Sequence, residues 1–342
     1  MKTYEEVQQH IRSRRRTWLV TGAAGFIGSN LAEKLLSLGQ EVVGLDNFST
    51  GKRENLQPGM RLIEGDIRSL DDCRAVVKGV DVVLHQAALG SVPRSIERPL
   101  ATHDNNVNGF LNMLVAARDA GIPRMVFASS SAVFGDDPQL PKVEERIGQA
   151  ASPYGLSKHI NELYARVFAT CYGFEWVGLR YFNVFGPRQD ADGAYASVIP
   201  AWIGALLRGD SAYINGDGSC ARDFCHVDNV VQMNLRAAMT EDAAAVNQAY
   251  NVAHGEMTSL TELFETVRTL LGKRLPHLKH ARAVYREPRR GDIQLSRADI
   301  GKAQRLLGYQ PTMRLMDGLE KTMDWYVANL APREERMVAN AS

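Results

Sequence analysis

The sequence has no apolar stretch that reaches the about 20 residues a membrane-crossing helix needs. Its opening residues, MKTYEEVQQHIRSRRR, lack the apolar centre of a secretory signal, so a cytoplasmic location is expected. Cysteine is scarce, at positions 73, 171, 220 and 225 only, with no CxxC pair and no companion histidine cluster. Cys225-His226 is too little for zinc; no metal site is expected, and reduced thiols fit a cytosolic enzyme. Neither sign of charge is in excess, with 40 Lys plus Arg against 39 Asp plus Glu. That balance argues against nucleic acid or a membrane surface as partner. The one charge run, Arg12 to Arg16 around Ser13, reads as a solvated lead-in to the first strand. Internal repeats and low-complexity tracts are also missing. What remains is 342 residues with 45% apolar and 23% charged content, enough for one large soluble domain or two lobes.

The most informative stretch is WLVTGAAGFIGSNLAEKLLSLGQEVVGLD, Trp18 to Asp46. Trp18-Leu19-Val20 reads as a short buried strand that breaks into glycines at 22, 25 and 28. An amphipathic segment from Ser29 to Leu38 follows, Gly39 stops it, and Val42 to Leu45 is a second strand ending in Asp46. This β-α-β unit has the spacing that holds a dinucleotide. Gly22 permits a tight turn, Gly25 lets backbone approach a pyrophosphate, and Gly28 lets the helix lie close on the sheet. With Phe26 and Ile27 they present the helix N-terminus to the phosphates. Asp46 suits both hydroxyls of an adenosine ribose and would repel a 2′-phosphate. Asn47-Phe48-Ser49 offers no arginine, so NAD is favoured over NADP.

Along the chain, strands alternate with helices. Asn47 to Leu56, with Ser49, Thr50 and Gly51, is suited to close over the adenosine half. Met60 to Asp66 reads as a third strand, with Asp66 and Ile67 placed for the adenine. A helix from Ser69 to Val77 leads to a fourth strand, Val80 to His85, then to Gln86-Ala87-Ala88, whose small residues can pass beside a cofactor. A long helix spans Ala101 to Ala120, a strand Met125 to Ala128, a second long helix about Ser152 to Cys171, and a strand Trp176 to Arg180. This rhythm means a Rossmann-type α/β fold, a doubly wound parallel sheet. The two long helices carry more apolar residues than one sheet face needs, and a homodimer through 101–120 and 152–171 is expected. Beyond Tyr181 the rhythm changes: loop from Asn183 to Gly193, helix Val198 to Leu207, strand and hairpin-type turn Tyr213 to Gly218, helix Val227 to Met239. Ala249 to Val252 is expected to return to the main sheet. Leu260 to Leu271, Arg297 to Leu307 and Leu315 to Tyr326 read as helices, with a polar loop from Pro288 to Asp292. The tail half forms a smaller α/β lobe over the cleft at the strand ends.

The strongest chemical constellation is Tyr154-Gly-Leu-Ser-Lys158 together with Ser130 at a strand tip. A tyrosine and a lysine four apart share a helix face. A free phenol near pKa 10 is a poor base, but an ammonium beside it and the positive nicotinamide ring both favour the phenolate. Lys158 can also hold the nicotinamide ribose, and Ser130 can align a substrate hydroxyl with Tyr154.

At these residues the sequence resembles the extended short-chain dehydrogenases/reductases, and within them the bacterial UDP-N-acetylhexosamine 4-epimerases. The likeness runs from about Thr17 to Tyr326. It is carried by TGAAGFIG (21–28), LDNFSTG (45–51), GDIR (65–68), HQAALGSVPRSI (85–96), SPYGLSKHINELYA (152–165), LRYFNVFGPRQD (179–190) and YINGDGSCARDF (213–224). The resemblance implies that Tyr154 is the catalytic base, Lys158 its partner, and Ser130 the hydroxyl-orienting serine, with Ser131 able to share that role. It implies substrate contacts from Ser91, Asn183 and Gln189, a diphosphate clamp of Arg222 and Arg289, and uracil against the backbone around Tyr213. Phe134 stands where the family usually has tyrosine, and Arg290 where relatives commonly have an acid. Ser296, in GDIQLSRAD, stands where epimerases restricted to UDP-glucose and UDP-galactose carry a bulky tyrosine, leaving room for an acetamido group. The implied organisation is an N-terminal extension 1–16, an NAD-binding domain 17–182 with segments returning near 227–253, a nucleotide-sugar lobe of 183–226 and 254–330, and a tail 331–342.

The expected activity is NAD-dependent C4 epimerisation of UDP-N-acetylglucosamine to UDP-N-acetylgalactosamine through a 4-keto sugar. Dehydration and decarboxylation would call on an acid at the serine-bearing strand tip, where Ser131 and Ala132 stand. Epimerisation of UDP-glucose or of a uronic sugar uses the same core chemistry, and Arg94 is the residue that could meet a C6 carboxylate. A non-catalytic NAD sensor would not need Tyr154, Lys158 and Ser130 together.

Overall fold

The computed structural model describes residues 2–191, 196–288 and 294–331. Its centre is a seven-stranded sheet: β1 (Thr17–Thr21), β2 (Glu41–Asp46), β3 (Arg61–Glu64), β4 (Val82–His85), β5 (Arg124–Ser130), β6 (Glu175–Tyr181) and β7 (Gln248–Val252), in the order β7-β6-β5-β4-β1-β2-β3. Every pairing is parallel. Parallel strands are joined by crossovers that cover both faces, which is why they read as continuous apolar runs. Successive residues of β1 show it: Trp18 and Val20 pack into the core on one face, Leu19 into the core on the other. The strand order reverses between β1 and β4, and an α/β sheet binds ligands at the strand carboxyl ends beside such a switch point.

Several elements differ from the sequence reading. The stretch before β1 includes a helix, Tyr4–Ser13, closed by a Thr3/Glu6 capping box and burying Val7 and Ile11, while Arg12 to Arg15 stay exposed. The long helix near 101–120 is Pro99–His103 and Gly109–Asp119 with a π-turn, Asp104–Asn108, between them. The expected hairpin after Tyr213 does not form, because Ala212–Asn215 pairs in parallel with the distant Ala283–Arg286. Residues 297–300 precede their helix (Gly301–Leu307), since Lys142 bridges to Ala298.

The smaller lobe has its own core around Trp202, Phe264, Leu319 and Tyr326. Its strands are short: Val184–Phe185 pairs with Cys225–His226, and Ala221–Arg222 lies between Thr258–Ser259 and Leu295–Ser296. No helix among the described residues is long and apolar enough to cross a membrane.

Candidate active site

A cleft of about 800 Å³ runs along the carboxyl ends of the sheet strands. At one end the turn after β1 meets the helix Phe26–Ser37. Gly22 has φ +67°, and a Cβ on Gly28 would lie 2.1 Å from the Gly22 carbonyl oxygen. Gly25 caps that helix with no side chain over its N–H groups, which leaves them for an anion. Asp46 ends β2. Its two oxygens accept Ala24 N–H (2.9 Å) and Phe48 N–H (2.8 Å), which fixes the carboxylate at the cleft wall. An anion-binding helix end followed by a carboxylate at the next strand fits a dinucleotide with an unphosphorylated ribose, so this chain's residues suit NAD.

Gly22, Gly25, Phe26, Ile27, Gly28, Asp46, Asn47, Ser49, Thr50, Gly51, Ile67, Gln86, Ala87 and Ala88 all line the cleft. Asp66 does not: its carboxylate is held by Asn47 (2.9 Å) and Arg68 (2.7 Å), which pull it down to about 2.

The other end of the cleft holds Ser130, Ser131, Tyr154 and Lys158. Pro153–Tyr172 is one long helix, with Ser152 as its N-cap and Pro153 in its first turn. Gly155 brings that helix against the strand tip, because a Cβ there would lie 2.5 Å from Ala132 O. Lys158 is buried, its Nζ donates to Ala128 O at 2.8 Å, and it lies 6.0 Å from the Tyr154 ring centre. Burial lowers the Lys158 ammonium to about 8. The Tyr154 phenol is raised by burial and drawn back by its hydrogen bond with Ser130. In the protein alone Tyr154 therefore stays protonated, and a cation beside it in the cleft is what would free the proton.

Beneath this group, Ser129 Oγ donates to Glu162 (2.6 Å), and Arg180 grips both Glu162 oxygens (2.9 and 2.7 Å). The π-turn aims Asn106 at both the cleft loop and the helix: Leu89 N–H donates to it, and it donates to Ser157 Oγ at 3.1 Å. A π-turn at such a place is a common functional device. Asn105, Arg188 and Lys142 also line the cleft and were missed in the sequence reading. The Asn105-Asn106 pair inside a helical pattern was the available signal for the first.

Ser91, Asn183, Gln189 and Ser296 line the cleft as well. Asn183 takes a positive φ of 27° and donates to Asp223 O at 3.0 Å. Arg222 and Tyr213 lie outside the lining: Arg222 Nη1 donates to Ala221 O and Gln294 O, and the Tyr213 ring carries the Arg286 guanidinium. Arg222 nonetheless pairs in register with Ser296. Arg289 and Arg290 lie outside the described residues.

Residues 18–253 match the model of the NAD dependent epimerase/dehydratase family. The chain belongs to this family. A putative UDP-glucose 4-epimerase of Methanocaldococcus jannaschii is 39% identical, over 91% of this chain and 98% of its own. The solved structure of the UDP-N-acetylglucosamine 4-epimerase from Methanobrevibacter ruminantium, in complex with UDP-N-acetylmuramic acid, superposes with TM-score 0.86 at 36% identity, covering 92% of this chain and 99% of its own. The UDP-glucuronic acid 4-epimerase from Bacillus cereus, in complex with UDP-glucuronic acid and NAD, superposes with TM-score 0.80 at 31% identity, covering 91% and 98%. As a member of this family, the chain uses NAD.

Proposed function

We propose that the protein is a UDP-sugar 4-epimerase whose preferred pair is UDP-N-acetylglucosamine and UDP-N-acetylgalactosamine. NAD, when bound, supplies a reversible acceptor and donor of hydride at sugar C4. Tyr154 takes the C4 hydroxyl proton and returns it, while Ser130 holds that oxygen in line. Lys158, fixed on Ala128 O, keeps its positive charge beside the phenol. The 4-keto sugar turns over while its nucleotide diphosphate stays anchored, so the same groups act on the second face. Asn183 and Gln189, which line the cleft, contribute to the anchor. Arg222, in register with Ser296 beside it, and Arg289 are the arginines assigned to the diphosphate from the sequence. The domain division at 182/183 follows from this reading: the sheet domain serves the cofactor and the small lobe the nucleotide sugar.

The observation that carries the acetylated substrate is that Ser296 lines the same cleft as Ser130 and Tyr154. A serine there leaves space for a C2 acetamido group in both orientations of the turning sugar. The test is a panel of UDP-glucose, UDP-N-acetylglucosamine and UDP-N-acetylglucosaminuronic acid, each assayed for its C4 epimer. The acetylated neutral sugar should have the highest kcat/KM; a non-acetylated winner would reject the specificity. A second reading, a uronic substrate, is favoured by Arg94, which lines the cleft. It gains if the uronic sugar wins that panel.

We also propose a homodimer. Ile96, Leu100, Leu156, Leu163, Tyr164 and Val167 are exposed, Leu100 at 85%, on neighbouring helices near 92–103 and 153–172. An apolar surface shared by neighbouring helical segments suits a second copy of itself, with 92–103 in place of the expected 101–120, whose Val107, Phe110 and Leu114 are buried within the chain.

A further inference from the structure

Among the described residues the buried arginines are Arg180 and Arg236. Arg180 is held by both oxygens of Glu162, and Arg124 by Glu175 at 2.6 Å. Arg236, only 5% exposed, differs. Among the described residues no carboxylate pairs with it. Its Nη1 donates to Lys2 O (3.0 Å) and Leu307 O (3.1 Å), while its Nε is buried with no partner. Two carbonyl dipoles compensate a full charge only in part, and a buried charge without a counter-ion is costly. Burial accordingly lowers the guanidinium pKa.

The same side chain lines a second cavity of about 360 Å³, and none of that cavity's residues belongs to the catalytic cleft. Thr3 and Tyr4, at the start of the ten-residue helix Tyr4–Ser13, form one wall. The capping box occupies the N–H groups of Thr3 and Glu6, leaving those of Tyr4 and Glu5 without an intrahelical acceptor. Gln232 adds a carboxamide whose oxygen is taken by Gln310 N–H (3.0 Å), so its amino group is the end left to donate. A helix N-terminus, an amide donor and an unmatched guanidinium thus line one cavity, with the half-buried Tyr4 supplying ring surface.

We propose that this cavity is a second binding site, for a small organic ligand bearing a carboxylate or phosphate group that pairs with Arg236. The positive end of the helix and the guanidinium both favour an oxyanion, and the Tyr4 ring favours a flat or apolar body. The site stands independently of the substrate assigned to the cleft.

The test is calorimetric titration of the full-length protein with phenyl phosphate, benzoate and neutral benzamide, in the presence of excess UDP. At least one of the two anions should bind at one site, the tighter identifying the oxyanion, and benzamide should not. Arg236→Gln should weaken that binding by about tenfold or more. Thr312→Trp, at the exposed rim, should block it without disturbing a buried group. No binding of either anion by the wild type, or equal binding of benzamide, overturns the proposal. So does unchanged binding in Arg236→Gln. Should that variant fail to fold, unchanged binding in Thr312→Trp places the ligand elsewhere and overturns it equally.

Discussion

At the residue scale, one oxygen is assigned most of the chemistry. Tyr154 lines the cleft end beside Ser130, whereas the other phenol there, Tyr181, donates to Gln86 (3.0 Å) and accepts from Asn234 (2.9 Å). Tyr154→Phe keeps the ring and removes the proton acceptor, so turnover should fall about 10²–10⁴-fold with NAD retained. Turnover measured at matched cofactor occupancy checks this, and a wild-type rate removes Tyr154 as base. Lys158 gives a second prediction. Its folded pKa of about 8 lies below its ordinary 10.5, so the native state binds fewer protons between those values. Its contribution to stability is therefore fully present above 10.5 and is lost as pH falls through 8, by at most about 3 kcal/mol. Urea unfolding of wild type and Lys158→Met across pH 7 to 10 should show their difference changing over that window. A constant difference would mean Lys158 does not titrate there. The placement of Tyr154, Lys158, Ser130 and Asp46 along one cleft was legible in the sequence because fixed spacing on a helix or a strand end determines where each side chain goes. That of Asp66 was not, because Arg68, two residues on, competes for the same carboxylate.

At the scale of elements, the helix that carries Tyr154 and Lys158 is tied to two strands by one acid. Glu162 bonds Ser129 on β5 and Arg180 on β6, and all three are buried. Glu162→Gln would leave the Arg180 charge uncompensated in the interior, which costs about 3–5 kcal/mol. Chemical denaturation should show a loss of that size, and a loss under 1 kcal/mol would mean that Arg180 finds another partner. Glu162→Leu combined with Arg180→Met should lose less than Glu162→Gln alone, since no orphan charge remains. Such pairs are invisible in sequence, as each partner looks like any other charged residue. The parallel strands were legible because burial on both faces demands apolar runs. The π-turn at 104–108 was not, because helical periodicity on either side of it persists. The small lobe's two-residue strands were missed for another reason: strands such as Leu295–Ser296 take their pairing from distant segments, not from their own pattern.

At the scale of the whole molecule, two surfaces carry the remaining predictions. Leu163, Tyr164 and Val167 form an exposed apolar row on the helix Pro153–Tyr172. Replacing Leu163 and Val167 by glutamate should convert the proposed dimer to a monomer with half the mass by light scattering. A wild type already monomeric at micromolar concentration would sink the dimer.

The second surface is the wall between the lobes. Ser296 sits on a strand that pairs with Ala221–Arg222, and the chain just beyond it is tied back by Lys142, whose N–H donates to Arg297 O at 2.8 Å. The buried Asp223 carboxylate also accepts Ala298 N–H at 3.2 Å. Residue 296 is thus held from two sides, and a larger side chain there has to project into the cleft instead of relaxing outward. Ser296→Tyr should therefore obstruct the C2 acetamido group of a turning 4-keto sugar, while the nucleotide anchor and the Tyr154 chemistry stay the same. The expected result is a loss of about tenfold or more in kcat/KM for UDP-N-acetylglucosamine, with UDP-glucose turnover kept or improved. Steady-state kinetics on both sugar pairs, in wild type and variant, measure it. Equal losses on both pairs would indicate damage to the loop, and an undiminished acetylated pair would show that residue 296 does not bound the sugar.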